Sequence, residues 1–150
     1  MSDLPIVKIL LMGPPAPKGR PRFRVIKPRG RAQFVSTYTD GKTAKYEERL
    51  DDAGRVAMGT RPPLDEPLTV QVEAFMPIPA SWPRRDREAA VTLRKLPTGT
   101  PDADNIAKIA QDALNEIVWR DDSIIVCLSV QKVYSLTPLL RVSVWRWSNG

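Results

Sequence analysis

Residues 101–126 read PDADNIAKIAQDALNEIVWRDDSIIV, and this stretch decides the fold. Between Asn105 and Val118, the residues Ile106, Ile109, Ala110, Ala113, Leu114 and Ile117 recur at the i, i+3, i+4, i+7 spacing of one helical face. Such a stripe must be buried against another layer. The residues that follow supply one. Ser123–Tyr134 is rich in apolar and β-branched residues and reads as a strand, and Leu139–Trp147 reads as another. Their closeness in sequence predicts an antiparallel hairpin joined near Thr137-Pro138.

Working outward, Leu68–Met76 (LTVQVEAFM) alternates apolar and polar residues and is the clearest strand in the chain. Ile6–Met12 is a short apolar run stopped by Gly13-Pro14-Pro15, and predicts a first strand. Thr43–Met58 predicts a helix with Ala44, Leu50, Ala53 and Ala57 on one face; Gly59 and Pro62-Pro63 end it. Arg84–Leu93 predicts a short charged helix, and Phe34–Tyr38 a short strand. Pro14–Arg31, dense in proline, glycine and base, reads as a loop or extended arm. The order is that of an α+β protein: a small mixed or antiparallel sheet with helices packed on one face. A length of 150 residues fits one domain, 1–150, with a basic flexible arm at about 17–42.

Composition removes several function classes. There is no histidine, so no Ser-His-Asp or Cys-His triad and no imidazole metal ligand is available. One cysteine forbids an internal disulfide and every multi-cysteine zinc site. Cys127, inside the apolar run Ile124–Leu128, is expected to be a small core residue. No apolar run approaches the ~20 residues of a membrane helix. Met1-Ser2-Asp3-Leu4-Pro5 lacks the basic and apolar regions of a leader, so a cytoplasmic protein is expected. The net charge of +6 points to an anionic partner, with nucleic acid the first candidate.

Two charge clusters stand out. In the acidic one, a helix starting near Asp102 puts Asp104 and Lys108 one turn apart, on the side opposite the apolar stripe. Asp121-Asp122 precedes the next strand, and the turn after Ile117 can fold that strand back toward Asp102 and Asp104. Carboxylates brought together repel, and a divalent cation relieves the repulsion. Magnesium takes oxygen ligands and leaves positions for water and phosphate oxygens. It lowers the pKa of bound water and stabilises the charge of an in-line phosphodiester displacement. Lys108 can then stabilise developing charge. Each residue also has a plainer role: first-turn aspartates cap helices, Asp104 and Lys108 can form a solvated ion pair, Asp121-Asp122 can make a turn, and Asp112 can be a salt-bridge partner.

The basic cluster comprises Lys18, Arg20, Arg22, Arg24, Lys27, Arg29 and Arg31, seven cations in fourteen residues with no acid among them. Extended, such an arm can follow a phosphate backbone, each contact adding counterion release. Arg84 and Arg85, with Arg87, Arg94 and Lys95, form a second basic region. Trp82, Trp119, Trp145 and Trp147 suit either base stacking or the core.

The ordered set formed by Asp102-x-Asp104-Asn105, Lys108, Asp112-Ala113-Leu114 and Asp121-Asp122 resembles the core of the RusA-type Holliday junction resolvases of bacteria and prophages. Gly13–Arg22 is also similar to the proline- and base-rich opening of phage-type members, and Met76–Trp82 to their strand-end segment. The resemblance implies a homodimer that makes paired nicks in four-way DNA junctions during recombination and repair, using magnesium or manganese. It makes Asp102, Asp104 and Asp122 the metal-binding carboxylates and Lys108 the catalytic lysine, with Asp121 the competitor for the Asp122 position. It does not by itself exclude a non-catalytic basic DNA-binding module, or a nuclease for other branched DNA.

Overall fold

The computed structural model describes residues 4–15, 22–26, 34–38 and 41–149. Its elements are β1 (Val7–Met12), β2 (Arg22–Ile26), β3 (Phe34–Tyr38), α1 (Gly41–Met58), β4 (Leu68–Pro77), α2 (Arg84–Val91), α3 (Ala103–Leu114), β5 (Ile125–Ser135) and β6 (Leu139–Arg146). The protein is α+β, as its pattern predicts.

The main sheet has the order β1-β6-β4-β5. Its register lines apolar residues into rows across the strands. One row is Val7–Val144–Val70–Leu128, the next Ile9–Val142–Val72–Val130, and a third Leu11–Leu140–Ala74–Lys132. In β1, β6 and β4 these residues are buried, and they form one core with residues of α1 and α3. Each fully buried aliphatic side chain contributes roughly 1.5–3 kcal/mol, so this face sets the stability of the fold.

The expected β5–β6 hairpin does not form. β4 lies between the two strands, antiparallel to β6 and parallel to β5. A parallel pair needs a crossover of a dozen or more residues, and the segment carrying α2 and α3 provides it. Residues 136–138 then step across the end of β4. Sequence proximity favoured the hairpin; instead β4 takes the central place, where both its edges are paired and its apolar face packs with α1 and α3.

Two further differences share one cause. α3 stops at Leu114 rather than reaching Val118: Asn115 is extended and Glu116 takes a left-handed φ of 67°. No glycine or proline marks this end. The chain turns because Val118 and Trp119 are fully buried, and Leu64 stitches the turn by accepting from Arg120 N and donating to Val118 O. In α1 the buried stripe is Thr43, Tyr46, Leu50, Gly54 and Met58, whereas Ala44 is exposed. Gly54 is where α1 meets α3: a Cβ there would lie 2.6 Å from Leu114 Cδ2.

Cys127 is exposed, not a core residue. β5 is an edge strand, and Cys127 falls opposite Thr69, on the face away from the helices. The segment expected as an extended arm contains β2, paired antiparallel with β3 from Arg22↔Tyr38 to Ile26↔Phe34. The alternation Arg22-Phe23-Arg24-Val25 suits a strand as well as an arm.

Candidate nucleic-acid cleavage site

The acidic end of α3 is built by its apolar side. Ile106, Ala107, Ile109, Ala110, Ala113 and Leu114 are buried, which turns Asp104, Lys108 and Asp112 outward as one exposed row. Asp102 is the N-cap residue. Its carbonyl accepts from Ile106 N at 3.1 Å, but its carboxylate makes no capping hydrogen bond. The capping role available to this aspartate is therefore not taken up, and its carboxylate is exposed. Among the described residues no ion pair joins Asp104 to Lys108 either.

The approach to Asp102 is held from β5. Lys132 Nζ donates to Gly99 O at 2.8 Å and to Pro101 O at 2.9 Å. Sequence reasoning missed this lysine, because the contact spans 31 residues and no spacing rule reaches so far.

At the other end of the row, the two adjacent aspartates behave differently. Asp121 caps the short 3-10 turn 122–124, its Oδ2 accepting from Ser123 N at 3.0 Å. Those hydrogen bonds hold its carboxyl below the usual carboxylate range. Asp122 is partly buried, and Trp119 Nε1 donates to its Oδ1 at 2.8 Å. Burial pushes the Asp122 carboxyl up; the charges of Asp112 and Asp121 add to the rise, and the Trp119 bond opposes it. Between the two, Asp121 caps a turn and Asp122 is held by Trp119. Trp119 thus sits in the core and orients an aspartate, a pairing of roles that its sequence position does not signal.

The helix carboxylate whose charge acts on Asp122 is Asp112. Among the described residues no three Asp, Glu, Cys or His side chains stand close enough together to hold a metal ion. Asp102, Asp104 and Asp122 are thus not gathered into a three-carboxylate centre. The donor chemistry still suits magnesium, a hard cation that is usually held by one or two carboxylates and completes its octahedron with water and substrate phosphates.

Of the basic residues, Arg84 and Arg85 are exposed at the start of α2, and Arg84 pairs with Glu88 at 3.0 Å. Arg22 and Arg24 occupy alternate positions of β2. Lys18, Arg20, Lys27, Arg29 and Arg31 lie outside the described residues. Trp82 meets Tyr134 edge-on at 5.3 Å, with Lys95 Nζ 4.2 Å from its ring centre. Trp147 is the tryptophan most open to a base, at 49% exposure.

A mixed sheet backed by two helices thus presents an exposed row of two aspartates and a lysine on the outer side of α3. The family model "Endodeoxyribonuclease RusA" matches residues 12–145, and the chain belongs to the RusA endodeoxyribonuclease family. It is also 31% identical, over 142 residues, to an uncharacterized protein, YqaN, of Bacillus subtilis strain 168. That match covers 92% of this chain and 94% of the relative. No helix among the described residues is long and apolar enough to cross a membrane.

Proposed function

We propose that this endonuclease resolves Holliday junctions by paired symmetric nicks, in DNA recombination and repair, in the bacterial cytoplasm and in a prophage setting. The observation that carries the reading is the free acidic end of α3: Asp102 and Asp104 stand exposed beside Lys108, with neither the cap nor the ion pair that would explain them structurally.

In this reading Asp102, Asp104 and Asp122 are the carboxylates that would hold Mg2+ (or Mn2+). Bound there, the cation would supply Lewis-acid stabilisation while water attacks the scissile phosphate and one bridging oxygen leaves with its strand. Lys108, one turn along the same row, brings its ammonium to the negative charge that grows on the phosphoryl oxygens. Trp119 would fix the orientation of Asp122 through its indole N–H. Lys18, Arg20, Arg22, Arg24, Lys27, Arg29 and Arg31, with Arg84 and Arg85, contact the DNA backbone in this reading.

Two symmetric cuts need two sites related by a two-fold axis, so the acting species is a homodimer. The open edge of β5, with Val126 57% and Leu128 38% exposed, supports association between copies.

The test is a nicking assay on end-labelled four-way junctions, linear duplex and flaps, with Mg2+, Mn2+ or EDTA. Paired nicks confined to the junction and lost in EDTA are expected. Preferential cutting of flaps would replace the junction reading, and tight junction binding with no cut in either metal would leave a DNA-binding module.

A further inference from the structure

We infer that Lys132 is a positioning residue of the cleavage site, acting through the carbonyls of Gly99 and Pro101 on Asp102. The inference rests on the proposed nuclease reading and adds a residue to it.

Lys132 ends the sheet row Leu11–Leu140–Ala74–Lys132, on the face that α1 and α3 cover. A cation at the end of an apolar row is costly unless its donors are satisfied. Here two of its three N–H groups are used, and both serve the same short segment, at 2.8 and 2.9 Å. Bonds from an ammonium are stronger than neutral ones, so the clamp is firm.

The clamped segment has little else to hold it. Between the end of α2 at Val91 and the start of α3 at Ala103 there is no helix or strand. Gly99 and Thr100 are exposed, while Pro101 is buried. Asp102 follows directly, and its carboxylate is not tied to the helix by a cap. The direction in which Asp102 leaves the backbone is therefore set by where Pro101 is held. Lys132 holds it from β5, an element anchored in the sheet through ten residue pairs with β4. The site is thus built on a rigid strand rather than on its own loop.

Lys132→Met keeps the aliphatic stem and removes the donors; Lys132→Arg keeps charge and donors. Three quantities separate the possible roles: the turnover rate at saturating junction against the Mg2+ concentration for half-maximal nicking, the salt dependence of junction binding, and amide exchange in metal-free protein. For Lys132→Met, turnover or Mg2+ affinity falls by about 10–100-fold, the scale for partners that orient metal-holding groups. Junction affinity and its salt slope stay unchanged. Amides of residues 102–106 exchange faster while those of β4 do not, and Lys132→Arg recovers part of the activity.

Turnover and Mg2+ requirement equal to wild type would overturn the inference while leaving the nuclease reading intact. A loss confined to junction affinity, with a shallower salt slope, would make Lys132 a direct phosphate contact instead. Faster exchange throughout the sheet, with no recovery in Lys132→Arg, would reduce it to a stability residue. A wild-type protein that nicks no DNA would overturn the nuclease reading and this role together.

Discussion

The two sides of α3 differ in what fixes them. The inner side is specified completely: six residues from Ile106 to Leu114 are buried against α1 and the sheet, with Leu114 at 0% exposure and Gly54 admitting close contact. The outer side, Asp104, Lys108 and Asp112, is exposed, and no packing fixes it. In the proposed reading one helix separates stability from function: changes on the buried side are expected to cost stability, and changes on the outer side to cost activity.

That separation can be broken in graded ways. The largest effect is expected on the outer side. Lys108→Met should slow nicking by ~10²–10³-fold, the scale for removing a group that stabilises transition-state charge, while stability stays within ~0.5 kcal/mol. Single-turnover nicking and thermal melting of one preparation check both halves. On the inner side, Leu114→Ala should lose about 2–5 kcal/mol of stability by leaving a cavity between α1 and α3. Denaturant unfolding would show this as a lowered midpoint with an unchanged slope.

A smaller loss is expected at the helix contact. Gly54→Ala gains helix propensity of about 0.5–1 kcal/mol but pushes a methyl into Leu114 Cδ2, and overpacking of a buried site costs about 1–3 kcal/mol. Because Leu114 has no solvent side to move toward, the penalty wins, and the melting temperature falls by a few degrees. A melting temperature that rises would mean that Leu114 repacks freely.

The smallest effect concerns pH and falls on the Asp121–Asp122 turn. Asp122 lies above and Asp121 below the usual carboxylate range, so side-chain NMR should show Asp121 losing its proton at lower pH than Asp122. For Asp122 the folded protein binds the proton more tightly than the unfolded chain. Its destabilising contribution is absent in acid and sets in as pH rises through the raised folded value. Asp122→Asn should therefore lose that part of the pH dependence and keep the Trp119 bond. For Asp121 the sign is opposite: its stabilising contribution is present at neutral pH and fades as pH falls through the lowered value.

What the sequence disclosed follows the range of each interaction. The α3 stripe, the alternation of β4 and the short β1 obey local periodicity, and all three elements are present. The ordered motif from Asp102 to Asp122 was legible through its resemblance to a family, and it agrees with the family of the chain. Features decided by distant partners were not legible. The insertion of β4 between β5 and β6 depends on sheet burial, the end of α3 on Trp119 packing beside Leu64, and the exposure of Cys127 on β5 lying at an edge. The site shows the same division. The outward row of Asp104, Lys108 and Asp112 follows from helical spacing, but the Lys132 clamp and the Trp119–Asp122 bond depend on the folded chain.

The most direct test pairs nicking with stability in Asp104→Asn. Four-way junction cleavage in Mg2+, junction affinity and the denaturation midpoint would be measured on the same protein. Cleavage should vanish while junction affinity is kept or tightened, since a negative charge near the phosphates is removed, and the midpoint should not move. Cleavage that survives the substitution, or that falls only in step with a lowered midpoint, would contradict the placement of the chemistry on the outer side of α3.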